Sequence, residues 1–139
     1  MIGVVVVTHG QLATELVNAA ETIVGDLPNF VAVSIGWHED VQDARQEIAA
    51  AIERVKQPGG VLLATDMFGG TPSNLGITFL ALNQIEIITG VNLPMLIKAA
   101  SLKDGASLTD VARMLREHGR NAIWVASDLL TSNEPEPKP

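Results

Sequence analysis

The chain has 139 residues, of which 47% are hydrophobic and 18% are charged. This length and apolar content fit one domain with its own core, which we place at residues 1–130. The net charge of −7, with nine Lys and Arg residues spread along the chain, excludes a nucleic-acid footprint, which needs clustered cations. The absence of cysteine excludes disulfides, thiolate metal sites and cysteine nucleophiles.

The two ends of the chain differ in character. Residues 2–8 are apolar, but no basic segment precedes them and the run ends at Thr8, so we predict a buried strand rather than a signal peptide. Because no apolar stretch reaches the roughly 20 residues that a membrane span needs, we expect a cytoplasmic protein without direct membrane insertion. Residues 131–139 are polar and rich in proline, and we predict a disordered tail there.

Short segments rich in Val and Ile alternate with segments of helical periodicity. Candidate strands cover residues 2–8, 30–35, 60–66, 85–89 and 121–126. Several of them are almost continuously apolar, which is typical of strands covered on both faces. The pattern predicts the α/β class, in which strands alternate with helices.

Helix boundaries are indicated by capping residues, glycines and prolines. Thr71 is predicted as an N-cap with Pro72 in the first helical position, where a missing N–H costs nothing. Ser107 is predicted to cap the last helix, and Gly119 to follow its end. The predicted helices cover residues 11–24 and 40–56, begin near residue 72, follow Pro94, and cover residues 108–117.

Polar clusters follow the first and third candidate strands. The first is Thr8-His9-Gly10, and the second is the run DMFGGTPSN at residues 66–74. In an open parallel sheet, ligands and catalytic groups gather beyond the carboxyl ends of the strands. Strands one and three are often neighbours in such sheets, so we expect His9 and Asp66 to form a histidine–carboxylate pair.

A histidine–carboxylate pair suits phosphoryl transfer. The carboxylate fixes the imidazole tautomer and leaves the other ring nitrogen as a nucleophile. The turn at Gly69 and Gly70 leads into a capped helix, whose backbone N–H groups and positive dipole end suit an anion, with Thr71, Ser73 and Asn74 as further donors. Because neither a P-loop nor a dinucleotide fingerprint is present, we expect a protein as the phosphoryl donor and no cofactor.

Each of these residues also has a structural interpretation. A single histidine after a strand is more often structural than catalytic, Asp66 is also compatible with a turn cap, and two glycines often precede a helix in a tight connection. His38 is expected in a loop near the end of the second strand, at the margin of the site. His118 is better explained by the dipole at the end of the last helix. The three histidines are unclustered, so no metal site is predicted.

A third run, TGVNLPML at residues 89–96, follows the two polar clusters. Together, the three motifs resemble those of the mannose-family IIA components of the bacterial phosphoenolpyruvate-dependent phosphotransferase system, and the likeness covers about residues 1–126. By this resemblance His9 carries the phosphoryl group on Nε2, and Asp66 orients the ring through Nδ1. The residues implied to support the phosphoryl group are Gly10, Gly69, Gly70, Thr71 and Ser73.

The resemblance implies a phosphotransferase that acts in sugar uptake. The histidine-containing phosphocarrier protein is its expected donor and a IIB component its expected acceptor, here a separate protein because no linked IIB domain follows. The fold that the resemblance implies is a doubly wound, mainly parallel sheet of about four strands plus a C-terminal edge strand, with helices on both faces. A homodimer is expected, in which this edge strand, at residues 121–126, is exchanged between subunits. Two alternatives stay open, a regulatory phosphohistidine module without a sugar permease and a flavodoxin-like domain that only binds an anion. The related phosphoryl-donor subunits of dihydroxyacetone kinases are a less favoured option, because they usually come fused to further carrier domains.

Overall fold

The computed structural model describes residues 1–36 and 39–130, so the predictions for His38 and for the tail at residues 131–139 lie outside the described residues. The strands are β1 (Gly3–His9), β2 (Phe30–Ile35), β3 (Val61–Thr65) and β4 (Ile85–Thr89). The helices are α1 (Leu12–Val24), α2 (Val41–Val55), α3 (Thr71–Ile77), α4 (Leu93–Ala100) and α5 (Leu108–Asn121). A short 3₁₀ helix at Ala126–Leu130 follows α5.

The strands form one parallel sheet in the order β2-β1-β3-β4. Val7 of β1 pairs with Val33 of β2 on one side and with Thr65 of β3 on the other. The chain therefore winds outward from β1 to β2 and then crosses back to β3. This reversal opens a crevice at the carboxyl ends of β1 and β3, where ligands bind in doubly wound sheets. The predicted fold class and the adjacency of strands one and three are confirmed.

Helices cover both faces of the sheet. Residues 4–7 of β1 are all valines, and their fully buried side chains point alternately to the two faces of the sheet. Those at positions 4 and 6 belong to one core with Val17 of α1, Leu96 of α4 and Leu115 of α5. Those at positions 5 and 7 belong to the other, with Ile48 of α2 and Leu75 of α3. Burying each valine stabilises the folded chain by about 1.5–3 kcal/mol. The central strand β1 therefore holds the polar residues that follow these valines in a fixed position.

Side chains cap three of the helices. The Asp40 carboxylate accepts from the amide of the second residue of α2 at 2.7 Å, and the Ser107 hydroxyl accepts from the Asp110 amide of α5 at 3.2 Å. Asn92 accepts from the Met95 amide of α4 at 3.1 Å. The predicted Ser107 cap is confirmed. Among the described residues, no helix has the length and apolar character needed to cross a membrane.

Two predicted helix boundaries were wrong. Thr71 is the first residue of α3, and the extended Gly70 before it takes the N-cap position. Gly119 lies inside α5, which continues to Asn121. An added Cβ at Gly119 would lie 3.0 Å from Cε of Met95 and 3.3 Å from Oδ1 of Asn92, so this glycine permits close packing of α5 against α4.

The predicted edge strand at residues 121–126 is not formed in the single chain. Asn121 ends α5, residues 122–125 have no regular structure, and Ala126 begins the 3₁₀ helix. Ile123, Trp124 and Val125 are 74%, 44% and 61% exposed. Strand preference is decided by packing against a neighbouring strand, and this segment pairs with no strand within residues 1–36 and 39–130.

Candidate functional site

His9 and Asp66 meet at the crevice between β1 and β3. The His9 Nδ1 atom lies 2.7 Å from Oδ2 of Asp66, and the His9 backbone N–H donates to the same oxygen at 3.1 Å. The other carboxylate oxygen, Oδ1, accepts from the Met67 amide at 3.0 Å. Both carboxylate oxygens are thereby held in place. The expected approach of the two residues is confirmed.

The environment of Asp66 favours its charged form. Burial raises the pKa of this carboxyl, but the hydrogen bonds from the His9 side chain and backbone, the charge of His9 and the Met67 amide outweigh burial and hold the pKa below its ordinary value. The Asp66 side chain is 14% exposed, whereas that of His9 is 52% exposed. A fixed carboxylate therefore lies behind a ring that a partner can reach.

The opposite edge of the imidazole is close to Gly70. Because an ionised carboxylate only accepts, the Nδ1 atom of His9 carries the proton of this bond, and in the neutral ring Nε2 is then the nitrogen with the free lone pair. A Cβ added to Gly70 would lie 2.7 Å from Cε1 and 3.1 Å from Nε2 of His9. Gly70 therefore lies next to the Nε2 edge of the ring, and a side chain at this position would crowd the imidazole.

Hydrogen bonds to the Ser73 hydroxyl fix the turn between Asp66 and α3. Gly69 has a φ of 94°, a left-handed conformation that suits glycine, and its N–H donates to Oγ of Ser73 at 2.9 Å. The Ser73 hydroxyl in turn donates to the Gly70 carbonyl at 3.4 Å and is fully buried. The structure thus places the Ser73 hydroxyl inside the turn. Thr71 is exposed at the start of α3.

The segment after His9 is anchored by Thr8, which sequence reasoning did not single out by itself. Its buried hydroxyl accepts from the Ala13 amide at 2.6 Å and donates to the His9 carbonyl at 3.2 Å. Gly10 follows with a φ of 55°, and its N–H donates to the Ile35 carbonyl at 3.0 Å. The sequence did carry a signal for this role of Thr8, since it is a polar residue that follows an apolar run shortly before a helix.

A cavity of about 450 Å³ adjoins His9, Gly10 and Thr71 and extends to the loop after β2. Glu39 lines it, and its carboxylate accepts from the Gly36 amide at 3.1 Å. No motif in the sequence pointed to Glu39. In contrast, His118 lies on α5 and lines a separate cavity with Asp26 and Lys98. Within residues 1–36 and 39–130, no group of His, Asp and Glu side chains has the arrangement of a metal site.

Exposed apolar side chains accompany the polar site. Met67 and Phe68, which directly follow Asp66, are 55% and 74% exposed. Val41, which lines the same cavity as His9, is 54% exposed. The site is thus an open surface with a half-exposed imidazole, and large exposed apolar side chains belong to the same segments.

The chain is similar to characterised components of sugar phosphotransferase systems. It is 30% identical to the "PTS system fructose-specific EIIA component" of Bacillus subtilis, over 94% of this chain and 90% of that protein. It is 28% identical to the "PTS system sorbose-specific EIIA component" of Lacticaseibacillus casei, over 96% of each chain. A mannose/sorbose-specific IIA subunit from Enterococcus faecalis has a similar structure, with a TM-score of 0.78, 25% identity and 98% of each chain covered.

A second solved structure and a family model extend this likeness. A component EIIA from Streptococcus agalactiae shares the fold, with a TM-score of 0.82 at 23% identity, over 92% of this chain and 99% of that chain. The family model described as "PTS system fructose IIA component" matches residues 3–116, a range that contains β1, the 66–74 turn and most of α5. The chain therefore belongs to the mannose/fructose-type IIA family of the sugar phosphotransferase system.

Proposed function

We propose that His9 accepts a phosphoryl group on Nε2 from the histidine-containing phosphocarrier protein and passes it to a IIB component during sugar uptake. The observation that carries this proposal is the 2.7 Å contact between His9 Nδ1 and Asp66 Oδ2, which directs the Nδ1 proton to the carboxylate and leaves Nε2 as the reactive nitrogen of a half-exposed ring. Membership of the family supports a role in the phosphotransfer cascade.

The proposed step needs no cofactor. The Nε2 lone pair of His9 attacks the phosphorus of the donor's phosphohistidine, and the donor's P–N bond breaks with its electron pair returning to the donor nitrogen. The proton on Nδ1 stays in place. The positive charge that develops on the ring is stabilised by the Asp66 carboxylate, as in other histidine–carboxylate pairs. Onward transfer is the same exchange with the IIB component as the acceptor.

The start of α3 supports the proposed phosphoryl group. Gly70 lies next to the Nε2 edge of His9, and Thr71 begins the helix directly after it. The first amides of a helix have no partner within the helix and attract anions. Gly10 and Thr71 line the cavity of about 450 Å³ that adjoins the ring. Gly69 and Ser73 contribute by shaping the turn.

The surface around His9 suits a protein partner. Exposed apolar side chains such as Met67 and Phe68 are typical of docking surfaces. The chain carries a net charge of −7, so a donor or acceptor with a basic face would associate faster with it.

The exposed C-terminal segment supports a homodimer. Ile123, Trp124 and Val125 are large apolar residues that the single chain leaves largely exposed. In the proposed dimer they pack against a second copy as its edge strand. Light scattering on the purified chain should give the mass of two copies, and Trp124→Glu should shift it toward the mass of one. A monomeric wild-type chain would rule out this assembly.

The test of the function is intact-mass analysis after incubation with phosphoenolpyruvate, the general phosphotransferase enzyme and the phosphocarrier. Wild type and the control His118→Ala should each gain one acid-labile phosphoryl group, and His9→Ala should gain none. A phosphoryl group on His9→Ala would refute the assignment. Adding a IIB component then separates transport from regulation, because only a carrier loses its phosphoryl group to it.

A further inference from the structure

Ser73 is a buried polar residue in the first turn of α3. Its side chain is fully buried, and its hydroxyl contacts the two glycines of the preceding turn. Oγ accepts from the Gly69 N–H at 2.9 Å and donates to the Gly70 carbonyl at 3.4 Å. A serine hydroxyl has one proton to donate, and here that proton is directed to Gly70. Ser73 is therefore bonded within the turn and not directed toward a ligand.

The same turn contacts His9 at both of its ends. Asp66, where the turn begins, binds Nδ1 of the ring, and Gly70, where it ends, is so near the other edge that an added Cβ would lie 2.7 Å from Cε1 and 3.1 Å from Nε2. The imidazole is thus held between the two ends of one short segment. The separation of these ends depends on the conformation of the turn, which includes the left-handed Gly69.

We infer that Ser73 is a positioning residue for His9, which acts by fixing the Gly69–Gly70 turn against the nucleophilic edge of the imidazole. This inference rests on the proposed transfer at His9. It differs from the expectation of Ser73 as a phosphate donor, because a buried hydroxyl with both contacts inside the turn acts on the ring through Gly70. Loss of the hydroxyl frees the Gly69 amide and lets Gly70 move away from Nε2.

The test compares Ser73→Ala with Thr65→Val. Thr65 is a matched control, since it is also fully buried and its hydroxyl has no hydrogen-bond partner among the described residues. Phosphoryl transfer is measured at increasing phosphocarrier concentrations. Ser73→Ala should lower the rate at saturation about tenfold, which corresponds to ~1.4 kcal/mol, with KM for the phosphocarrier unchanged. Thr65→Val should change neither quantity.

A second variant covers the case in which Ser73→Ala does not fold. Ser73→Cys fills similar space with a weak hydrogen-bond acceptor and should give a comparable loss of rate. A folded Ser73 variant with the wild-type rate at saturation, or with a change in KM alone, would overturn the inference.

An NMR measurement separates this inference from the proposed function. Nitrogen and proton shifts of the His9 ring should show a weakened Nδ1–H to Asp66 bond in Ser73→Ala and an unchanged bond in Thr65→Val. Unchanged shifts in Ser73→Ala would contradict the positioning role. If wild type accepts no phosphoryl group, the proposed function fails, while the ring shifts still show whether Ser73 positions His9.

Discussion

Replacing Gly70 by alanine should disable the site without disturbing the fold. Gly70 has φ −91° and ψ 172°, an extended conformation that alanine adopts without strain. Any effect therefore comes from the added methyl group, which would lie 2.7 Å from Cε1 and 3.1 Å from Nε2 of His9. Ordinary carbon contacts begin near 3.4 Å, so the ring must retreat by about 0.7 Å or the turn must open.

The size of the effect follows from the contact on the other side of the ring. A displaced imidazole loses the alignment of its 2.7 Å bond to Asp66, and the methyl group also shields Nε2 from the donor. A hydrogen bond to a charged group contributes about 1.5–3 kcal/mol. At 1.36 kcal/mol per factor of ten, phosphoryl transfer to Gly70→Ala should be about 10- to 150-fold slower.

The assay is the transfer rate from the phosphorylated phosphocarrier under single-turnover conditions. Gly36→Ala is the matched control, because Gly36 lines the same cavity and an added Cβ there meets no atom of the described residues within 4 Å. Thermal unfolding of both variants verifies that each is folded. A folded Gly70→Ala that transfers as fast as Gly36→Ala would refute the assigned contact between Gly70 and the imidazole.

Two further changes test the electrostatics and the frame of the site. The folded-state pKa of Asp66 is lowered, so its charge stabilises the fold above the ordinary pKa of about 3.9 and loses this contribution as pH falls through the lower folded value. Asp66→Asn should therefore be less stable than wild type in urea at pH 7, and the difference should shrink in acid; a constant difference would contradict this. Asn92→Ala removes the cap on Met95 and the 2.9 Å bond to the Gly119 carbonyl, and should lower the free energy of unfolding by about 1–3 kcal/mol. Ser107→Ala, which removes a cap alone, should cost about 1 kcal/mol, and equal costs would refute the bridging role of Asn92.

The sheet and the histidine–carboxylate pair could be predicted because their signals are local. Apolar runs identify β1 and β3, and polar residues directly after such runs lie at one edge of a parallel sheet. His9 and Asp66 are separated by 57 positions in the chain, yet each is placed by the strand just before it. The pairing required only the common order of strands in doubly wound folds.

The parts that sequence reasoning missed are contacts between segments that are distant in sequence. Gly119 has the appearance of a helix stop, but its real constraint is the side chains of α4 against which it packs. Glu39, which follows β2 in the chain, lines the same cavity as His9. Residues 121–126 have strand-forming side chains, and whether they form a strand depends on a neighbouring strand, which the described part of the chain does not place beside them.

The sheet and the turn therefore make different contributions to the site. Parallel pairing of β1 with β3 brings His9 and Asp66 to the same edge, and any doubly wound sheet of this order could do so. The orientation of the imidazole depends on finer contacts, one to Asp66 and one to Gly70, within a turn that Ser73 holds from the inside. Since a misplacement of 1 Å can cost two orders of magnitude in rate, the turn that the buried Ser73 hydroxyl holds, and not the sheet, should determine how well Nε2 is aligned for transfer.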